Sequence, residues 1–120
     1  MPAISFSREH RLKSSFLIRK TFHDGAKVRG KFVSVFWLSL PEEKRLRFTV
    51  IVGSKVSRKA VLRNRMKRVL RAAFVESIRG SKLENGLVVI SAYRVPGELT
   101  CARAVVELTE CLAKLHSLSC

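Results

Sequence analysis

Hydrophobic residues recur along this chain with two different periods, and each switch between them marks an element boundary. Residues 12–23 (LKSSFLIRKTFH) have helical spacing. Leu12 and Phe16 share one line with Arg19 or Lys20, while Ile18 and Phe22 share another at i,i+4. Ser14 or Ser15 supplies the N-cap. Asp24-Gly25 ends the helix, with Gly25 expected in the left-handed conformation that helix termini favour. Period two then takes over. Residues 31–40 (KFVSVFWLSL) predict a strand, with Val33, Val35 and Trp37 on one face and Phe32, Ser34, Phe36 and Leu38 on the other. A polar turn at residues 41–44 leads to a second strand over residues 46–53 (LRFTVIVG). Leu46, Phe48, Val50 and Val52 form its apolar face; Arg47, Thr49 and Ile51 form a mixed one. A short hairpin is the economical connection between these two strands. At least one more short strand fits between residues 26 and 31.

Residues 57–79 (SRKAVLRNRMKRVLRAAFVESIR) return to the helical period and predict a helix of about six turns, roughly 30 Å long at ~1.5 Å per residue. Leu62, Met66, Val69, Leu70, Ala73 and Ser77 make its apolar stripe. Asn64, Lys67, Arg68 and Arg71 lie opposite, Arg63 and Arg65 flank the stripe, and Arg58 and Lys59 stand at the start. Residues 87–93 (LVVISAY) are apolar almost throughout, which suits a strand covered on both faces and parallel to a neighbour. Pro96-Gly97 breaks the chain, and Thr100 caps a last helix over residues 101–116 whose Val105, Leu108, Leu112 and Leu115 face inward. Helix, strand, strand, helix, strand, helix is the order of a small α+β or α/β sandwich. Residues 1–10 read as an irregular arm.

Composition narrows the picture. The 120 residues suit a single domain with one core, and 47% hydrophobic content excludes a disordered chain. Against that background 24 Lys and Arg face only 9 Asp and Glu, a formal charge of +15. Such an imbalance implies a polyanionic partner, nucleic acid first and an anionic membrane surface second. The longest apolar runs are a few residues, and the amino-terminal MPAISFSREH has no apolar signal core, so the expectation is a cytoplasmic chain with no membrane partner. Cys101 and Cys111, ~15 Å apart on one helix, are beyond disulfide reach. Both read as small core residues with reduced thiols. Cys120 makes the count odd.

The chain is poorly equipped for catalysis of its own. Asp24 is the only aspartate, no two carboxylates pair by spacing, and His10, His23 and His116 lie in an arm, a helix end and the tail. Neither a phosphate-binding glycine loop nor a Cys/His metal spacing occurs. Binding is the better account. From Arg58 to Arg71 the charged residues are all basic, and no acid stands between Glu43 and Glu76. An ordinary solvated helix mixes signs and gains ~0.2–0.5 kcal/mol from each i,i+4 pair. This one accepts self-repulsion, which makes sense if the anion comes from outside. Arginine holds phosphate oxygens with a two-pronged fork and lysine with a point charge. Asn64, both donor and acceptor, can read a base edge or a 2′-hydroxyl. Ile18 and Phe22 define a second candidate surface where an aromatic beside a groove stacks on single-stranded bases; the competing reading puts Phe22 in the core.

The segment AVLRNRMKRVLR at residues 60–71 resembles the Arg-Asn-Arg helix of the protein subunit of bacterial ribonuclease P. The flanks agree: Arg11-Leu12 and Phe22 three residues before Gly25, residues 47–53 followed by Ser54-Lys55, residues 87–92, and the capped last helix. The resemblance spans residues 10–116. It implies a mixed sheet of about four strands with three helices and a left-handed β-α-β crossover, against the usual right-handed rule. It also implies a role as an accessory subunit. The catalyst is then an RNA that works with magnesium ions and removes the 5′ leader from precursor tRNA; the protein alone binds no metal.

The same resemblance assigns residues. Arg58, Lys59, Arg63, Asn64, Arg65, Lys67, Arg68 and Arg71 would lie against the catalytic RNA, and Phe22 and Ile18 would line a cleft holding the leader. Two departures stand out. Ile18 occupies a position where the family often has an aromatic, and Arg58-Lys59 stands where many members have Gly-Asn. A ribosomal or general RNA-binding protein of similar architecture is the rival reading. A DNA-binding helix is a weaker one, because it wants a short supporting helix before Ser57, where a strand and loop are predicted.

Overall fold

Leu87, Val88, Val89 and Ile90 are all fully buried, and this explains the sheet. A strand apolar on both faces needs a neighbour on each edge and a layer on each side. The computed structural model describes residues 12, 14–39, 46–78, 85–96 and 99–119. Its elements are α1 (Ser15–Asp24), β1 (Ala26–Arg29), β2 (Val33–Leu38), β3 (Leu46–Val52), α2 (Ala60–Ile78), β4 (Gly86–Ala92) and α3 (Cys101–Ser119). The sheet order is β1-β2-β4-β3. β4 runs antiparallel to β2, with Val35 opposite Ile90, and parallel to β3, with Val50 opposite Ile90. The expected β2–β3 hairpin is therefore absent: β4 sits between those strands. β3, with its mixed face, takes an edge, and the all-apolar strand takes the interior. The hairpin is instead β1–β2, and β1 is the short strand expected after residue 26. The β3–α2–β4 crossover joins adjacent parallel strands, as the apolar run suggested.

One face of the sheet carries both long helices. Val33, Val35, Phe48, Val50, Val88 and Ile90 meet Met66, Leu70, Ala73 and Phe74 of α2 and Leu108, Leu112 and Leu115 of α3. The Phe48 and Phe74 rings lie 4.5 Å apart. Phe32, expected beside Ser34 on the opposite face, precedes β2 and turns into this core. Its backbone N–H donates to the buried Glu107 carboxylate at 2.9 Å, which ties the β1–β2 turn to α3. Ser77 earns its place inside the stripe through its hydroxyl, which donates to the Ala73 carbonyl at 2.7 Å. Thr100 caps α3 as expected, its Oγ1 accepting from Arg103 N–H at 3.2 Å. Cys111 is buried but Cys101, on the first turn of α3, is exposed, so only one of the two thiols is a core residue.

Among the described residues the other face carries α1 alone. Ser14 caps it, Oγ accepting from Leu17 N–H at 3.3 Å. Gly25 is not left-handed; its φ of −75° and ψ of 159° are extended, and its N–H closes the helix on the Thr21 carbonyl at 3.0 Å. Close approach explains the glycine instead. A Cβ there would lie 2.5 Å from the Thr21 carbonyl oxygen and 2.9 Å from that of Trp37. Beneath α1 a small cluster of Leu12, Phe36, Leu87 and Val89 is buried, with Leu17, Ile18, Leu38 and Ile51 packed against it. The predicted arm at residues 1–10, the turn at 41–44 and Cys120 lie outside the described residues.

Candidate nucleic-acid interface

The first buried residue of α2 is Met66, so the opening turns of the helix stand clear of the core. The helix begins at Ala60 rather than Ser57. Residues 53–59 form a loop in which Val56 N–H bonds the Gly53 carbonyl and Lys59 N–H bonds Ser57 Oγ. Ser54, Lys55, Val56, Ser57 and Arg58 line a shallow depression just before the helix. Arg58, Lys59, Asn64, Arg65, Arg68 and Arg71 are exposed. Arg63 is half-buried and folds back, one guanidinium nitrogen donating to the Ser57 carbonyl at 2.8 Å. That bond fixes the loop against the second turn and uses one of five donors. Lys67, expected opposite the stripe, is half-buried, because the buried face turns toward Phe74 and Ile78 rather than staying centred on Leu62. No ion pair joins the Lys and Arg of residues 58–71 to a carboxylate among the described residues. Val61 stands 81% exposed among these cations. The positive end of the helix dipole points the same way as the loop.

On the α1 side of the sheet, register places Lys27 and Arg29 of β1, Ser34 and Phe36 of β2, Val89 and Ser91 of β4, and Thr49 of β3 on one face, where Lys27 and Arg29 are exposed, Ser91 and Thr49 half-buried, and Ser34, Phe36 and Val89 buried. Phe22 stands at its border, 37% exposed, its ring edge-on to Phe36 with centroids 4.6 Å apart and planes at 72°. Phe22 is therefore not a residue of the buried core: it packs on Phe36 and remains partly exposed. Ile18 is half-buried against the small cluster. Lys27 Nζ lies 5.5 Å from the Phe36 centroid. Farther along, the Arg29 guanidinium lies 4.4 Å over the Tyr93 ring, the Tyr93 hydroxyl bonds the Gly30 carbonyl, and Arg94 Nε donates to the Lys31 carbonyl at 2.6 Å.

Aromatic rings and cations thus alternate along a surface that α1 covers only in part. Lys27, Arg29, Tyr93 and Arg94 were not singled out from the sequence. The signal was period two: Lys27 and Arg29 bracket Val28, and Tyr93 keeps the parity of Leu87, Val89 and Ser91. The basic helix and this face of the sheet lie in opposite layers. Among the described residues no three His, Cys, Asp or Glu side chains converge, and no helix is long and apolar enough to cross a membrane.

A family model described as Ribonuclease P matches residues 6–116. The ribonuclease P protein component of Bacillus pumilus is 32% identical over 93 residues, 78% of this chain and 76% of that one. That of Lactobacillus helveticus is 35% identical over 69 residues, 58% of this chain and 57% of the relative. The solved RNase P protein of Staphylococcus aureus superposes with a TM-score of 0.73 at 22% identity, covering 89% of this chain and 94% of its own, a likeness of fold. The match of a ribonuclease P family model over nearly the whole chain, with a relative above 30% identity across three quarters of both proteins, means that this chain belongs to the ribonuclease P protein family.

Proposed function

We propose that the chain is the RNA-binding subunit of a ribonucleoprotein that removes the 5′ leader from precursor tRNA, with the bond cleaved by the RNA. The observation that carries this reading is α2: an overhanging helix whose opening turns carry only basic charges, none paired to a described carboxylate, with the exposed amide of Asn64 among them. Arg65, Arg68 and Arg71 grip phosphates of the catalytic RNA, with Arg58, Lys59 and Lys67 adding point and fork contacts. Arg63, already fixed to Ser57, presents its remaining donors without further ordering cost. Asn64 reads a base edge or a 2′-hydroxyl. The groove beside α1 takes the leader as an extended single strand, with Phe22 against a base, Ile18 as apolar floor, and Lys27 and Arg29 near the phosphates.

Magnesium belongs to the RNA in this scheme. The described residues bring no donor cluster together, and no step runs through a protein-bound ion. The chain contributes charge. At +15 it offsets repulsion between two polyanions, so the RNA reaches its active, ion-bound form at lower magnesium. The test is direct. Purified protein is added to ribonuclease P RNA and precursor tRNA at a magnesium concentration where the RNA alone is slow. Cleavage should rise sharply. Tight RNA binding with no gain in cleavage would favour a general RNA-binding protein instead.

A further inference from the structure

Phe16 is 70% exposed on α1, more than Phe22 on the same helix. An isolated exposed apolar residue needs no explanation; Phe16 is not isolated. Residues 16, 19 and 22 are spaced by three, so Phe16, Arg19 and Phe22 fall along one oblique ridge of the helix surface. Arg19 is exposed between the rings. The inner side of α1 is occupied by Leu17, Ile18 and Thr21, so the ridge runs outward from the border of the groove, where Phe22 leans on Phe36. Between the two rings the charged residues, Arg19 and Lys20, are both basic. Neither Arg19 nor Lys20 pairs with a carboxylate among the described residues, and Asp24 is taken by His23 at 3.0 Å.

We propose that this ridge is a second single-strand binding site, which carries the leader out of the groove and over the outer face of α1. The site takes the nucleotides upstream of those in the groove. One base stacks on Phe16, a phosphate rests on Arg19, and the strand then passes Phe22 into the groove. Six residues of helix separate the rings by ~9 Å along the axis, a span that neighbouring nucleotides of an extended strand can bridge. The chemistry is that of a sequence-tolerant platform: every base has a face to stack, and every linkage has a charge to neutralise. This inference rests on the reading of the groove as the leader site and extends it by a defined segment.

The experiment uses the reconstituted RNA–protein complex and precursor tRNAs whose leaders grow one nucleotide at a time. Affinity is measured for the wild type, Phe16→Ala, Phe16→Trp and Phe22→Ala. Phe16→Ala should match the wild type on short leaders and fall behind by about fivefold or more once the leader is long enough to pass Phe22. Phe16→Trp should restore the long-leader affinity. Phe22→Ala should lose affinity from shorter leaders onward. If Phe16→Ala tracks the wild type at every length while Phe22→Ala does not, the ridge is not a site and the groove survives. A Phe16→Ala deficit equal on leaderless tRNA also overturns the ridge, because the ring then serves something other than the leader. If neither variant departs from the wild type at any length, the groove reading itself fails.

Discussion

Twenty-one buried residues pack between the sheet and the α2–α3 layer, whereas the face beneath α1 buries four, Leu12, Phe36, Leu87 and Val89, among the described residues. Both faces belong to the same four strands, and β4 is apolar on both. They differ in cover. Two helices of 19 residues close one side, while among the described residues a single helix of 10 residues lies over the other. The closed side offers RNA only the outward surface of its helices, so binding there depends on charge displayed on a rigid support. The open side offers part of the sheet itself, with rings and cations held in strand register. Stability and ligand binding should therefore respond in opposite ways to mutation of the two faces.

The largest expected effect is on the closed face. Phe74 is fully buried and stacks near Phe48. Phe74→Ala leaves a ring-sized cavity and should cost ~3–5 kcal/mol in urea unfolding. A loss below ~1 kcal/mol would mean that this core is not the main source of stability, and the comparison would collapse.

Phe22→Ala should behave in the opposite sense. Its ring is 37% exposed and makes one edge contact, so the fold should lose no more than ~1 kcal/mol. Precursor tRNA affinity should fall by ~1–3 kcal/mol, with mature tRNA unaffected, because only the precursor carries a leader. Equal losses for both RNAs would return Phe22 to a purely structural role.

Next in size is Arg65→Ala. Arg65 is exposed on α2 without a carboxylate partner among the described residues. Affinity for the catalytic RNA should drop about tenfold, and the slope of log affinity against log salt should shrink by ~1. Arg103→Ala, at an exposed position of α3 in the same layer, is the control and should leave both quantities nearly unchanged. If the two variants weaken binding alike, charge number alone matters and the helix has no special role.

Much of this was written locally in the sequence. The helical period marked α1, α2 and α3, and Thr100 and Ser14 announced their caps. The single-sign run from Arg58 to Arg71 identified the basic helix without any knowledge of its packing. Its phase was harder to read. A stripe centred on Leu62 misses Phe74 and Ile78, because the first turns overhang the core and their apolar residues are not the buried ones. Sheet order was hidden as well. Proximity in sequence favours β2 beside β3, and only the non-local demand of β4 for two neighbours places it between them. The groove residues share that fate: Lys27, Phe36 and Tyr93 come from three strands and converge only through pairing. Gly25 makes the same point in miniature, since the backbone of Trp37, twelve positions on, forbids a side chain there.

The smallest expected effect probes the closed face by chemistry rather than deletion. Cys101 is exposed and Cys111 buried on the same helix. Burial, reinforced by the Glu107 carboxylate, pushes the Cys111 thiol from its ordinary 9.0 up to about 11. The native state therefore holds a proton that the unfolded chain gives up between about pH 9 and pH 11. Below pH 9 both states are protonated and the group contributes no pH dependence. As pH rises through that window stability should fall, by roughly 1 kcal/mol near pH 10. The difference between wild type and Cys111→Ala, measured in urea at pH 8 and pH 10, isolates this part from the titration of lysines. Alkylation at neutral pH followed peptide by peptide gives the companion reading: Cys101 should label in the folded protein and Cys111 only after denaturation. Rapid labelling of Cys111 under native conditions would show that the α3 side of the core opens readily, and the contrast between a closed face and an open one would lose its physical basis.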